Sequence, residues 1–460
     1  MSFDYDLFVI GAGPGGIAAA RLAATYGARV AISERDQVGG TCVVHGCIPE
    51  KLMAYAASFS HVFEDADEYG WGKVQHRVNW QQFMTAKNRA IEHLSQLHIQ
   101  HLQEAGVKLI CGQTKFLDAH TLDVGGCRIT ADKILIAVGG EAVKPNIPGI
   151  EYAITSRQMF ELNQQPEHIA IIGSNQIAVK FAGSMNGLIS KVTLIVPEYR
   201  VLPGQDEDIR TTVQEGMTEN GIKIFCNTHV EKIEQVQEGL RLSLLGDNQD
   251  SVTVNTVLCV TSRVPNLSGL DLEKAGIEVN LGAIAVDEYS CTNQTNIFAV
   301  GDCTNRPHWT PVAIATGRAF ADTVFGNQPR TVSFECIPAA VSSQPEAATV
   351  GLTEAQAKEK FRGSVRCYSQ RFRPLFDSIA EPEQKTLIKL VVDGKSDKVL
   401  GAHMVGEYAG EIIQCLGLAI RLGVTKKDFD TTIGIHPSSA EEFFTLRENL
   451  KLTPANSGVN

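Results

Sequence analysis

The segment from Asp6 to Glu34 constrains the fold of this chain more than any other part of the sequence. It reads as an apolar strand, the turn Gly-Ala-Gly-Pro-Gly-Gly at residues 11–16, a helix to about Tyr26, and a second strand that ends at Glu34. Glu34 follows Gly11 by 23 residues. A G-x-G-x-x-G turn between a buried strand and a helix, with an acid about 20 positions later, is typical of a dinucleotide-binding Rossmann unit.

The residues of this turn have separate physical roles. Gly11 permits the tight turn, Gly13 lets the backbone approach a pyrophosphate, and Gly16 lets the helix pack closely on the strand. The N–H groups at the start of the helix attract phosphate oxygens. Glu34 can accept a hydrogen bond from a ribose hydroxyl, so the segment predicts a dinucleotide site and not only a glycine-rich turn.

A second unit of the same type begins at His168. Its apolar strand at 168–172 is followed by the turn at 173–178 and by another strand at 192–196. Two units of this kind in one chain predict two dinucleotide sites, one for each of two cofactors.

A chain of 460 residues is long enough for two to four domains. We expect an α/β fold in which two Rossmann-like domains are joined to a C-terminal α+β domain. The predicted ranges are 1–147 and 267–330 for the two parts of the first domain, 148–266 for the second domain, and 331–460 for the C-terminal domain. Within them, the sequence predicts long helices at about 50–62 and 80–104, a strand at 130–140, and an amphipathic helix at 410–422.

Cys42 and Cys47 lie five positions apart, directly after the first unit. The chain has eleven cysteines, and the other nine are scattered in the manner of small buried hydrophobic residues. Two thiols at this spacing can exchange with a disulfide, because a thiolate with a lowered pKa attacks and its neighbour resolves the mixed disulfide. No second Cys/His pair with ligand spacing follows, and we therefore expect no metal site.

Composition excludes several other classes of function. The net charge of −11 argues against nucleic acid and anionic membrane as partners. No apolar run approaches the length of a membrane-spanning helix, and the N-terminus has neither a basic region nor an apolar signal core. The sequence therefore predicts a cytoplasmic protein.

Several motifs together resemble the flavin-dependent pyridine nucleotide-disulfide oxidoreductases, and within that family the pattern is most similar to glutathione reductases. The motifs that carry the resemblance are 11–16, 39–49, Ala-Val-Gly-Asp at 299–302, Thr-Pro-Val-Ala at 310–313 and His-Pro to Glu at 436–442. The resemblance implies FAD in the first domain, a nicotinamide nucleotide in the second, and a homodimer formed through the third.

The resemblance also implies roles for individual residues. Cys47 would contact the flavin and Cys42 would attack the substrate disulfide, while His436 and Glu441 would be donated across the dimer as an acid/base pair. Arg21 and Arg318 fall where the family holds substrate carboxylates, and His98 falls where it has a tyrosine that contacts substrate. The implied FAD-binding residues are Gly11, Gly13, Gly16, Glu34, Thr41, Gly139, Asp302 and Thr310.

The second glycine turn departs from the family pattern. The second glycine of the turn that starts at Gly173 is replaced by Asn175, whose side chain we expect to lie where the backbone should approach a pyrophosphate. The aromatic residue that covers the nicotinamide pocket corresponds to Gln176. The two arginines that would hold a 2′-phosphate correspond to Pro197 and Pro203, and Arg200 could compensate in part. We therefore expect weak or absent use of NADPH.

A further departure is paired. The family has a lysine three positions after the second cysteine, in an ion pair beside the flavin with a glutamate of the nucleotide domain. Here these positions carry Glu50 and Lys180, so that the charges are exchanged. Lys51 occupies the adjacent position, where some family members also carry a lysine. A carboxylate beside flavin N5 would disfavour reduced, anionic flavin, unless Lys180 supplies the positive charge.

The sequence therefore predicts an FAD-dependent disulfide oxidoreductase that passes electrons between flavin, the Cys42–Cys47 disulfide and glutathione or a similar small disulfide. With a poor NADPH site, the electron donor could be a protein or a dithiol. One alternative is an ordinary NADPH-dependent glutathione reductase. A second is a non-catalytic flavoprotein that senses redox state or binds a partner, which the intact cysteine pair, His436 and Glu441 disfavour.

Overall fold

The computed structural model describes residues 3–74, 77–362, 364–379 and 385–447. At the centre of its first sheet, the apolar segments at residues 7–10 and 30–33 are fully buried, as expected of parallel strands. The strands and helices of the first part of the chain are β1 (Tyr5–Ile10), α1 (Pro14–Thr25), β2 (Val30–Glu34), α2 (Gly40–Val44), α3 (Cys47–Asp65), α4 (Trp80–Glu104), β3 (Lys108–Cys111), β4 (Thr114–Phe116), β5 (Thr121–Val124), β6 (Cys127–Ile136) and β7 (Gly140–Val143).

The second part repeats the strand–helix–strand pattern. Its elements are α5 (Ser156–Met159), β8 (His168–Ile172), α6 (Gln176–Gly187), β9 (Lys191–Ile195), α7 (Glu207–Glu219), β10 (Lys223–Phe225), β11 (Thr228–Val236), β12 (Gly239–Gly246), β13 (Ser251–Val254), β14 (Thr256–Cys259) and β15 (Ser262–Pro265). The chain then returns to the first sheet through β16 (Val279–Asn280), β17 (Ala283–Ile284), β18 (Ile297–Ala299) and α8 (Thr310–Val324).

The two glycine turns lie on sheets of the same topology. The first sheet has the order β3-β2-β1-β6-β5-β4, with β18 paired to β6, and the second has the order β10-β9-β8-β14. In both sheets the strand that precedes the glycine turn is central and pairs in parallel with its neighbours on each side. Because ligands of open α/β sheets bind outside the carboxyl ends of such strands, both turns lie where a dinucleotide would bind.

The C-terminal part is an antiparallel sheet with helices against it. Its order is β19-β20-β23-β22-β21, and its elements are β19 (Ala339–Val341), β20 (Ala347–Gly351), α9 (Glu354–Phe361), β21 (Val365–Phe372), β22 (Thr386–Asp393), β23 (Val399–Val405), α10 (Ala409–Arg421), α11 (Lys426–Thr431) and α12 (Glu442–Thr445). The predicted fold class, two Rossmann-like units and an α+β domain, is confirmed.

The strand predicted at residues 130–140 differs from the structure at both ends. The strand β6 begins at Cys127 and ends at Ile136. The chain then turns through Gly139, whose φ of +70° favours glycine, and β7 pairs instead with β15 in a separate two-stranded sheet. The turn separates the first Rossmann sheet from the connection to the second unit. No helix among the described residues is long and apolar enough to span a membrane.

A buried ion cluster joins the second unit to the C-terminal sheet. The Nζ atom of Lys389 on β22 lies 2.8 Å from Asp206 Oδ1, 2.7 Å from Asp208 Oδ2 and 2.7 Å from Glu354 Oε2. Although burial alone would raise it, hydrogen bonds from Lys358 and Lys389 lower the pKa of Glu354 to about 2. Asp206 also caps α7, so the loop that precedes this helix is attached to the C-terminal domain.

Replacing Lys389 with alanine should destabilise the protein strongly. The Lys389 side chain is 2% exposed, and its loss leaves Asp206 and Asp208 without the ammonium that lies between them, while Glu354 keeps Lys358. We expect a loss of about 3–5 kcal/mol, the range found when one member of a buried ion pair is removed. Lys358→Ala is the matched control, because this exposed lysine contacts only one member of the cluster and should change stability by no more than about 0.5 kcal/mol. Urea unfolding measures the free energy of unfolding of both variants. Equal losses would contradict the view that the buried Lys389 contributes more to stability than the exposed Lys358.

Candidate active site

A cavity of about 410 Å³ lies between the first glycine turn, the cysteine loop and the start of α6. It brings together residues that are separated by up to 300 positions in the sequence. Of the residues singled out from sequence, those that line it are Gly11, Gly13, Glu34, Thr41, Cys42, Cys47, Glu50, Gly139, Gln176, Lys180, Asp302 and Thr310.

The first glycine turn leaves room for a ligand. Gly11 has φ +103°, and a Cβ atom there would lie 2.6 Å from the carbonyl oxygen of Ala137. A Cβ on Gly16 would lie 2.1 Å from the Gly11 oxygen, so this glycine allows α1 to pack on the turn. A Cβ on Gly13 would meet no protein atom within 4 Å, because this residue faces the cavity. No side chain caps the start of α1, which leaves its N-terminus available to an anion.

Glu34 is oriented by the backbone around it. Its Oε2 accepts a hydrogen bond from the N–H of Ala12 at 2.9 Å, and its Oε1 accepts from the N–H groups of Arg35 and Asp36 at 2.8 and 3.0 Å. A carboxylate held this way at the end of β2 has further acceptor capacity for a ribose diol. Together with the open turn at Gly13, it fits the adenosine and pyrophosphate parts of FAD.

The cysteine pair lies at the junction of two helices. Cys42 is in the short helix α2, and Cys47 is the first residue of α3. The Thr310 hydroxyl, at the start of α8, lies 3.6 Å from Cys47 Sγ. The hydrogen bond between the two thiols, with burial, raises the pKa of Cys42. Hydrogen bonds from Cys42 and Thr310 and the Lys180 ammonium lower the pKa of Cys47 to about 6, against the effect of burial.

Glu50 and Lys180 form an ion pair across the cavity. Lys180 Nζ lies 3.2 Å from Glu50 Oε2, and the two side chains are only 14% and 12% exposed. Lys51 points elsewhere, because its ammonium lies 3.3 Å from Ser342 Oγ and 3.8 Å from Glu346 Oε1. Lys51 is therefore not among the residues around the cavity, in contrast to the expectation that grouped it with the cofactor-binding residues.

The residues predicted to bind substrate lie outside this cavity. Arg21 on α1 and Arg318 on α8 are exposed and lie on helices that pack directly together, since a Cβ on Gly317 would lie 2.4 Å from the Gly15 oxygen. His98 is partly buried on α4. Burial lowers the pKa of His98, and the electrostatic effects of His101 and Arg21 lower it further.

His436 and Glu441 form a pair but do not line the cavity of their own chain. His436 Nδ1 lies 3.0 and 3.2 Å from the Glu441 carboxylate oxygens, and Glu441 also accepts a hydrogen bond from the N–H of Ser438 at 3.1 Å. The His436 side chain is 83% exposed. The carboxylate orients an imidazole that faces outward, and its donation to a second copy stays a prediction.

The second glycine turn is built differently from the first. Asn175 caps α6, with Oδ1 accepting hydrogen bonds from the N–H groups of Ile177 and Ala178 at 2.9 and 3.1 Å. Its Nδ2 donates to the Val260 carbonyl at 2.6 Å. The side chain therefore folds back onto the helix instead of projecting into the path of a pyrophosphate. In this conformation the Asn175 side chain occupies two N–H groups at the start of α6.

The loop after β9 has its basic side chains already paired. Arg200 Nη1 donates to the Glu207 carboxylate and, at 2.6 Å, to the Thr211 hydroxyl. The loop itself contacts the second turn, since the N–H of Leu202 donates to the Ser174 carbonyl at 2.7 Å. Pro197 and Pro203 flank this segment without any donor. The Arg200 guanidinium is therefore already paired and is not a free replacement for the two family arginines that correspond to Pro197 and Pro203.

One pair of cavity residues has no signal in the sequence. Arg157 Nη2, near the start of the second unit, lies 2.7 Å from Asp36 Oδ2 in the loop after β2, and both line the cavity. They are 121 positions apart and belong to unremarkable charged segments. Only the folded arrangement of the two units reveals this contact.

A hydrogen-bonded dithiol that shares a cavity with an open Rossmann-type turn defines a flavin-linked disulfide oxidoreductase. Two family models match the chain, the pyridine nucleotide-disulphide oxidoreductase model over residues 5–317 and the dimerisation domain of the same oxidoreductases over 337–447. The chain therefore belongs to the pyridine nucleotide-disulphide oxidoreductase family, and it is a flavin-dependent enzyme closely related to glutathione reductases.

Three named glutathione reductases illustrate the relationship. The protein from Nostoc sp. (strain PCC 7120) is 55% identical over 97% of this chain and 100% of its own length. Those from Burkholderia cepacia and Pisum sativum are 43% and 42% identical over 97% of this chain, and the matches cover 99% and 82% of their own lengths. The HOCl-induced flavoprotein disulfide reductase RclA from Escherichia coli has a similar structure, with a TM-score of 0.86, 27% identity, and coverage of 96% of this chain and 99% of that one.

The ionisation of Cys47 should be visible in the reduced holoprotein. Because the pKa of Cys47 is lowered to about 6, its thiolate should persist at neutral pH and be lost as the pH falls through 6. A pH titration of the long-wavelength absorbance between thiolate and flavin measures this midpoint. The Cys42→Ala substitution removes the hydrogen bond that contributes most to stabilising the Cys47 thiolate, so it should raise the midpoint of the titration. A wild-type midpoint near 8.5, the ordinary value for a thiol, would contradict the assignment.

Proposed function

We propose that this protein is an FAD-dependent disulfide reductase that acts as a homodimer on glutathione or a similar small disulfide with carboxylate groups. The observation that carries the proposal is the placement of the Cys42–Cys47 pair in the same cavity as the open turn at Gly13 and the oriented carboxylate of Glu34. The whole-length similarity to named glutathione reductases supports the choice of substrate. The relatives offer no support for a non-catalytic redox sensor.

The residues around the cavity suit the parts of FAD in order. The turn at Gly11–Gly16 and the N-terminus of α1 would hold the pyrophosphate, and Glu34 would hold the adenosine ribose. Asp302 and Thr310, which also line the cavity, would lie along the rest of the cofactor. When bound, FAD would supply the electron pair that reduces the Cys42–Cys47 disulfide.

The chain's own residues would then carry out thiol–disulfide exchange. The His436 imidazole of a second copy takes the proton of Cys42. The Cys42 thiolate then attacks one sulfur of the substrate disulfide, and the substrate S–S bond breaks as the mixed disulfide forms. The first thiolate leaves with a proton from the His436 imidazolium of a second copy, which Glu441 orients. The Cys47 thiolate then attacks Cys42 Sγ, which re-forms the internal disulfide and releases the second substrate sulfur as a thiolate that takes a proton from water.

Substrate carboxylates would be held on the outer side of the dithiol. Arg21 and Arg318 project from α1 and α8, and α8 also carries Thr310 beside Cys47. Guanidinium groups bind carboxylates in a bidentate manner, so two such groups would select a disulfide with two acidic ends. His98, on α4, would add a further donor.

A second copy of the chain would cover the surface next to His436. Ile433 and Ile435 are 95% and 81% exposed, and Leu418 and Leu422 on α10 are 65% and 79% exposed. Large apolar side chains this exposed favour association. The matched dimerisation domain at 337–447 contains all four of them, which supports a homodimer in which His436 reaches the thiols of the other copy.

The reaction can be tested without a nicotinamide nucleotide. The holoprotein, chemically reduced by two electrons and freed of reductant, should convert one equivalent of oxidised glutathione to two thiols. Cys42→Ser should abolish this conversion, whereas Cys111→Ser, at an exposed cysteine outside the cavity, should not change it. Thiol release is followed with a chromogenic disulfide after the protein is removed. If the reduced wild type releases no thiol from glutathione disulfide, the proposed substrate is wrong.

We also propose that NADPH is a poor electron donor for this protein. The support is that Asn175 occupies the N–H donors at the start of α6, Arg200 is paired with Glu207, and prolines stand at the two positions expected to carry arginines. A pyrophosphate would have to displace an intramolecular cap, and a 2′-phosphate would find no free arginine on this loop. A protein or a small dithiol is then the donor.

The second candidate is an ordinary NADPH-dependent glutathione reductase. The three named relatives favour it, and the expectation of weak NADPH use draws its support only from the geometry of the second turn and its loop. The two candidates share the flavin, the dithiol and the disulfide substrate. They differ in how the flavin is reduced.

Anaerobic mixing with NADPH separates these two candidates. Wild-type holoprotein should lose its flavin absorbance slowly, even with NADPH in excess, while dithionite bleaches it fully. The triple variant N175G/P197R/P203R restores free donors and two cations, and should bind NADPH at least about tenfold more tightly, since one hydrogen bond to a charged group contributes about 1.5–3 kcal/mol. Rapid bleaching of the wild type at micromolar NADPH would overturn the proposal of weak use.

A further inference from the structure

Lys180, Glu50 and Cys47 form a group in which one cation lies among two acids. Cys47 and Glu50 are three residues apart in the first turn of α3, so their side chains lie on one face of that helix. Lys180 comes from α6 of the second unit, and its ammonium reaches Glu50 at 3.2 Å. All three residues line the cavity.

The other charged groups near Cys47 do not replace Lys180. Lys51, the next residue after Glu50, directs its ammonium to Ser342 and Glu346 of the C-terminal domain. Asp302 acts mainly on Cys42, whose pKa it raises. Thr310, on α8, is a neutral hydrogen-bond partner.

The pKa values of the two acids agree with this arrangement. After the hydrogen bonds from Cys42 and Thr310, the Lys180 ammonium lowers the pKa of Cys47. Burial raises the pKa of Glu50, and the negative charge on Cys47 raises it further, while Lys180 lowers it. Both acids therefore interact with the Lys180 ammonium, and Lys51 lowers the pKa of Glu50 by a smaller amount.

We propose that Lys180 is a positioning residue through which the second unit holds Cys47 as a thiolate, and that Glu50 weakens this effect by competing for the same ammonium. The inference rests on the proposed flavin–dithiol function. In the arrangement that the family resemblance implies, the lysine lies three positions after the second cysteine, so that the cation and the thiol belong to one helix. Here they belong to different units, and α6 begins at the second glycine turn.

Four variants of the holoprotein test the proposal, with the pH midpoint of the thiolate–flavin absorbance as the readout. Lys180→Gln should raise the midpoint by about 1–3 units, the range for loss of a nearby opposite charge. Glu50→Gln frees the ammonium and should lower the midpoint. The double variant E50Q/K180Q should fall between the two single variants. Lys180→Arg keeps the charge and should stay near the wild type.

Lys51→Gln is the matched control. It removes a lysine from the position adjacent to Glu50, but this ammonium faces the C-terminal domain, so the midpoint should not move. Each variant is first checked for bound flavin and for its unfolding temperature. A variant that has lost flavin is replaced by the charge-exchanged E50K/K180E protein, which keeps the ion pair and should retain a neutral-pH thiolate.

The outcomes separate this inference from the proposed function. If the wild type shows no thiolate–flavin absorbance in the reduced state, the dithiol–flavin function itself is wrong. If the wild type shows the band and Lys180→Gln leaves its midpoint unchanged, the role of Lys180 is wrong while the function stands. Opposite shifts for Lys180→Gln and Glu50→Gln support the proposal, and shifts in the same direction overturn it.

Discussion

The site depends on the close contact between α1 and α8, which only glycine permits. A Cβ on Gly317 would come within 2.4 Å of the Gly15 oxygen, and one on Gly15 within 3.0 Å of the Ala313 oxygen. This contact fixes the start of α8 against the first glycine turn and places Thr310 3.6 Å from Cys47. Larger side chains at these positions would separate the helices and move the hydroxyl away from the thiol, although neither glycine takes part in the chemistry.

Electrostatics then sets the roles of the two thiols. Cys47 begins a helix of 19 residues, where the helix dipole favours a negative charge, and it accepts a hydrogen bond from Cys42. The same bond raises the pKa of Cys42, so one proton stays with that thiol while the other is released. The reduced pair therefore carries about one charge at neutral pH, held on the side of the pair that faces Thr310 and Lys180.

Local patterns were predicted well from the sequence, and long-range orientations were not. The glycine turn at 11–16 and the Cys42–Cys47 spacing have meaning within one short segment, so their place in the fold could be inferred. Glu50 and Lys180 were paired by resemblance, and their 3.2 Å contact agrees with it. By contrast, three contacts depend on neighbours that only the tertiary structure brings close. They are the hydrogen bond of Lys51 to Ser342, that of Asn175 to Val260, and the ion pair of Arg157 with Asp36.

The two Rossmann units share a topology and differ in how the helix that follows the glycine turn begins. Both place a glycine turn between a central strand and a helix, and both turns begin with a glycine at positive φ. At the next motif position, Gly13 leaves the helix start open, whereas Asn175 fills the hydrogen bonds of the helix start with its own side chain. This cap stabilises α6, and a phosphate that bound there would have to compete with it for the same N–H groups. The second unit has the Rossmann topology, and its helix α6 places Lys180 in the cavity that holds the thiols. It therefore contributes to the redox site whether or not a nucleotide binds to it.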